Sequence, residues 1–82
     1  MTPLTIDGRL VYGLVVEVGR GLRVRLAEVE YEALGLFEGR MVEVRLTGRP
    51  AGTFHVLSAA YVDPGWRWLM LAATPSRTRA AS

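Results

Sequence analysis

The sequence predicts a mainly β protein, a small antiparallel barrel of five strands with one short helix between the second and third strands. Three observations carry this. Apolar and charged residues alternate in "LRVRL" (residues 22–26) and "VEVRL" (residues 42–46), the period of a half-buried strand. Nine glycines fall at the ends or bends of such segments, and "DPG" (63–65) is a strong turn signal. The chain has only 82 residues, half of them apolar, and an open five-stranded sheet this apolar would offer its edges to other chains, whereas closure removes them.

Each element follows in order. In residues 10–18, Leu10, Tyr12, Leu14, Val16 and Val18 share one face, while Val11 and Val15 make the other face apolar too, with Gly13 between them. This is the pattern of a long first strand covered on both sides and bent at its glycine. "GRG" (19–21) closes a hairpin, because glycine accepts the positive φ that tight loops require. In the second strand Leu22, Val24 and Leu26 point inward and Arg23 and Arg25 outward. A short helix follows, with Val29, Ala33 and Leu36 at helical spacing, Leu34 widening the stripe, and Glu28, Glu30 and Glu32 near its positive end. Gly35 takes the left-handed conformation that stops it, and Gly39 makes the next turn. Val42, Val44 and Leu46 form the inner row of a third strand. "GRPAG" (48–52) is a loop, residues 53–62 a fourth strand, and Trp66–Ala73 a fifth strand apolar on both faces. The domain spans residues 4–73. The basic tail, residues 74–82, has too little apolar content to order itself.

Composition excludes several classes. Without cysteine and with one histidine, His55, the chain builds neither a disulfide framework nor a zinc site of thiolates and imidazoles. His55 has no partnering nucleophile or carboxylate motif, and Glu28, Glu30 and Glu32 do not converge on one helix face. No catalytic residue, metal or cofactor is expected, and the chain is read as a non-enzymatic protein. All ten basic residues are arginine, and Lys, Asn and Gln are absent, which fits a GC-rich and heat-loving source. The start lacks the basic region of a signal peptide, and no run approaches the roughly 18 apolar residues of a membrane span, so no membrane partner and a cytoplasmic location are expected.

The stretch "LGLFEGRMVEV" (34–44) resembles the LGLxxGxxVxV turn of the TOBE or molbindin-like OB barrels, whose strand-glycine-strand opening also resembles "GLVVEVGRGLRVRL" (13–26). It is similar as well to the helix-to-strand turn of AbrB-type swapped-hairpin DNA-binding dimers. Those dimers usually carry proline before the helix, where this chain has Ala27, and an apolar residue where it has Glu30. The OB resemblance implies an OB-like barrel, and in TOBE-like domains it implies binding of small oxyanions such as molybdate, tungstate or sulfate. Their oxyanion-binding residues have no position-by-position counterpart here.

The candidate site is an arginine and aromatic set. Trp66 and Trp68 share a strand face, with Arg67 on the opposite one, and exposed indoles on such a barrel stack nucleobases at roughly 1–3 kcal/mol each. Arg20 in the hairpin and Arg49 in the 48–52 loop, together with Arg77 and Arg79 in the tail, are candidates for phosphate contacts, Arg49 having no evident local carboxylate. Arg23, Arg25 and Arg45 are expected to form a cross-strand ladder with Glu17 and Glu43. The expected function is binding of single-stranded DNA or RNA through Arg20, Arg49, Tyr61, Trp66 and Trp68. The rival is a protein-interaction module that forms a homodimer through the two-sided apolar strand Trp66–Ala73.

Overall fold

The computed structural model describes residues 1–74. The expected tail therefore lies outside the described residues apart from Thr74, whose amide donates to the Thr53 carbonyl at 2.9 Å. The chain forms β1 (Thr2–Ile6), β2 (Arg9–Val18), β3 (Gly21–Ala27), α1 (Glu28–Leu34), β4 (Met41–Leu46), β5 (Gly52–Asp63) and β6 (Trp66–Ala73). The strands close into one barrel in the order β1-β2-β3-β6-β5-β4, every neighbouring pair antiparallel. The expected closure and the helix between the 22–26 and 42–46 strands are present.

The count of five strands is corrected to six among the described residues. The additional strand is β1, made from "TPLTI", which turns at Asp7-Gly8 to pair with β2 and lies against β4 on its other side. Asp7 and Gly8 take φ of 52° and 84°, the two positive angles of a primed hairpin turn whose twist matches the strands it joins. β1 is what shuts the barrel, since without it β2 and β4 would face each other across a gap.

The core is a single cluster of Leu4, Ile6, Val11, Leu22, Val24, Leu26, Leu36, Val42, Val44, Val56, Leu69 and Leu71, drawn from every strand. The inner rows of β3 and β4 are those expected from alternation. β2 contributes only Val11, Gly13 and, in part, Val15, so its large apolar row faces away from the core. β5 carries two irregularities, between Val56 and Ser58 and between Tyr61 and Asp63, which let a strand of 12 residues bend around the wall.

The helix presents a different face from the one expected. Val29 is 71% exposed and Ala33 is exposed, while Tyr31 and Leu34 pack on the core, and the buried Leu36 lies beyond the helix. α1 follows β3 directly, its preceding residue Ala27 being held opposite Trp66. In two turns of helix that entry direction and the ion pairs of Glu28 and Glu30 outweigh the apolar pattern. Gly35 ends the helix at φ 64°, and Arg40 donates to the Leu34 carbonyl at 3.0 Å. Gly35→Ala is expected to cost about 1–2 kcal/mol, because a left-handed conformation brings Cβ against the following carbonyl. A thermal melt lowered by roughly 4–16 °C would show it.

Candidate functional site

The barrel has two unlike ends and one unusual wall. At the helix end, charge is locally matched: Arg9 pairs with Glu30 (2.8 Å), Arg25 with Asp63 (2.8 Å), Arg40 with Asp7 (2.6 Å) and Arg67 with Glu28 (3.0 Å). Glu28 and Glu30 thus serve different arginines. Arg67 also lies 4.9 Å from the Tyr31 ring centre and 5.2 Å from that of Tyr61. This arrangement plugs the end with stacked and paired side chains.

The opposite end is open. Arg20, in the β2–β3 turn, and Arg49, in the β4–β5 loop, line one cleft of about 260 Å³ whose floor includes Leu22, Val44, Leu46 and Phe54. Arg49, which has no carboxylate near it in the sequence, pairs across the mouth with Glu17 at 2.6 Å. Glu17 and Arg49 are more than half exposed, a setting in which such a pair contributes about 0–1 kcal/mol. Arg20 forms no ion pair among the described residues.

The expected ladder of Arg23, Arg25 and Arg45 with Glu17 and Glu43 is also corrected. Glu17 turns to Arg49 and Arg25 to Asp63, because Glu17 lies in the inward row of β2 while the three arginines face out. Arg23 instead covers the Trp68 ring at 4.7 Å, and Arg25 covers Trp66 at 4.9 Å. The register explains the pairing, for Arg25 stands opposite Trp68 and Arg23 opposite Met70 on β6. Each guanidinium reaches diagonally to the neighbouring indole. Both indoles are only partly exposed, and Arg67 lies on the other face as expected.

The five residues singled out from sequence therefore occupy three places. Arg20 and Arg49 meet at the open mouth, Trp66 and Trp68 lie on the outer wall under arginine, and Tyr61 stands at the helix end beside Arg67. They do not form one surface.

What the wall does present is the large apolar row of β2. Leu10 and Tyr12 are each 57% exposed, Leu14 and Val18 45%, and Val16 42%. The first strand was expected to be covered on both sides, and this face is bare because the barrel interior takes the smaller row of Val11, Gly13 and Val15. A Cβ on Gly13 would meet the Arg25 carbonyl oxygen at 2.7 Å, so the inner row is the one that lets β2 press against β3. The neighbouring outward positions are Arg23 and Arg25 on β3 and Pro3 and Thr5 on β1, so the bare strip is bordered by cations on one side and by uncharged residues on the other. The signal that marks it in the sequence is the glycine's parity: it shares a row with Val11 and Val15. No helix of the described residues is long and apolar enough to cross a membrane, and among them no cluster of His, Asp or Glu could hold a metal ion. Compared with known protein families, curated proteins and solved structures, the chain matches none of them.

Proposed function

We propose that this chain is a non-enzymatic protein-interaction module that associates with a second copy of itself through the outer wall formed by β2. One observation carries the reading: five successive outward positions of one strand, Leu10 to Val18, are all apolar or aromatic and all more than 40% exposed. Single exposed apolar residues are ordinary, but a contiguous apolar strip marks a contact surface. A second copy is the partner that fits, because an uncharged strip meets its own image without repulsion and a two-fold contact uses the same patch on both sides. The interface is placed on β2 rather than on β6, where the sequence suggested it, because the outward indoles of β6, Trp66 and Trp68, lie under Arg25 and Arg23.

Sedimentation equilibrium between about 1 and 200 μM is expected to show a monomer–dimer equilibrium for the whole chain, a range that captures micromolar dissociation constants. Val16→Glu should leave the circular dichroism spectrum unchanged and abolish the dimer. A chain that is monomeric throughout would end this reading.

Binding of single-stranded nucleic acid is the second reading, favoured by the meeting of Arg20 and Arg49 at one mouth. Tryptophan quenching on titration with single-stranded DNA or RNA, stronger at low salt, supports it. Affinity weaker than about 10⁻⁴ M at low salt removes it.

A further inference from the structure

β2 is longer than the strand that covers its edge. β1 begins at Thr2, opposite Gly13, whereas β2 runs on to Val18. From Leu14 to Val18 the strand is paired with β3 alone. In an antiparallel ladder alternate residues turn both N–H and C=O to the same side, so this segment directs a set of backbone donors and acceptors away from β3. Among the described residues no backbone hydrogen bond outside the strand ladders reaches it.

Exposed edges template the addition of another strand, and folded proteins usually blunt them with proline, bulges or charge. Neither proline nor a bulge interrupts Leu14–Val18. The prolines of the described residues are at 3, 50 and 64 and the irregular pairings lie in β5. Its single charge, Glu17, is in the inward row and is neutralised by Arg49 of the β4–β5 loop.

We infer that the second copy docks by strand addition, its Leu14–Val18 edge pairing antiparallel with the same edge of the first, about a two-fold axis at Val16. This rests on the self-association reading and specifies its geometry. The register follows from the length of the free segment. Centring on Val16 uses all five residues and sets Leu14 opposite the second copy's Val18, Val16 opposite its own image, and Val15 opposite the second copy's Glu17. Centring on Glu17 would oppose two carboxylates, and centring on Leu14 would require residues that β1 already holds. In the chosen register the outward side chains Leu14, Val16 and Val18 of both copies form one apolar ridge across the seam, the part of the β2 strip that lies on the free edge.

The test uses the full chain, which contains no cysteine. Val16→Cys is expected to give a covalent dimer under mild oxidation, because facing Cα atoms in an antiparallel pair lie about 4.5–5.5 Å apart, within disulfide reach. Leu10→Cys, in the same outward row but opposite Thr5 of β1, should not. Val16→Lys sets two ammonium groups face to face and should weaken dimerisation about 100-fold, the scale on which juxtaposed like charges act. Leu14→Lys alone should weaken it, and adding Val18→Glu should restore it through two cross-copy ion pairs. In the unmodified chain, amide exchange at residues 14–18 should slow as concentration rises, a readout that depends on no variant's folding. A dimer in which Val16→Cys fails to cross-link, Val16→Lys has no effect and residues 14–18 gain no protection overturns edge pairing while leaving self-association standing. A monomer at every concentration overturns both.

Discussion

Gly13→Ala is expected to destabilise the domain by about 3 kcal/mol or more, the upper range for overpacking a filled interior. The added Cβ would stand 2.7 Å from the Arg25 carbonyl oxygen, 3.1 Å from a Leu26 methyl and 3.2 Å from a Val24 methyl. The methyl groups can turn aside, but the carbonyl belongs to the β3 backbone and is fixed by the strands on either side of β3. Relief requires β2 to move away from β3, and that loosens the seam from Leu14 to Val18 as well. The same argument applies at Gly21, whose added Cβ would overlap the Leu71 carbonyl on β6. Gly21 is paired with Val18 on one side and Ala72 on the other, so a comparable loss is expected there. Denaturant titration measures it, and a melting temperature lowered by at least about 12 °C is the corresponding shift for a domain of this size. A loss below about 1 kcal/mol would mean that β2 does not lie against β3 as described.

Leu69→Ala is expected to cost about 2–5 kcal/mol, the range for deleting a fully buried leucine. Leu69 is 0% exposed and sits opposite Val24 on β3 and Ala59 on β5, so it spans the seam between two strand pairs. The closed wall cannot collapse into the void without breaking ladder hydrogen bonds, and this places the expected value in the upper half of that range. Because total stability of a small domain is about 5–15 kcal/mol, the variant should unfold at markedly lower urea. The control is Leu57→Ala: Leu57 is equally apolar but 55% exposed, at the irregular pairing of β5, and should lose little. Comparable losses at Leu57 and Leu69 would contradict the burial described here.

Much of this architecture is legible in the residues. The inner rows of β3 and β4 read directly because their outer rows are charged, and the contrast fixes both faces at once. Gly35 and Asp63-Pro64-Gly65 mark their turns because each demands a backbone conformation few other residues accept. β1 is less visible, since "TPLTI" is short and contains a proline, yet the Asp7-Gly8 pair that follows is a recognised hairpin signal. The pairing of Arg49 with Glu17, and the stacking of Arg23 and Arg25 on Trp68 and Trp66, have no local signature. They join residues separated by 32 to 45 positions, and only the strand order brings them together.

The sequence by itself determined where strands run and where they turn, because those features depend on φ and on alternation over a few residues. Which apolar row of β2 enters the core was decided only by the tertiary structure. Alternation divides a strand into two faces without saying which is inside, and in β2 both are greasy. The choice is made by closure, which sets Gly13 opposite Thr2 and Leu14 opposite Arg25 and so turns the bulkier row toward solvent.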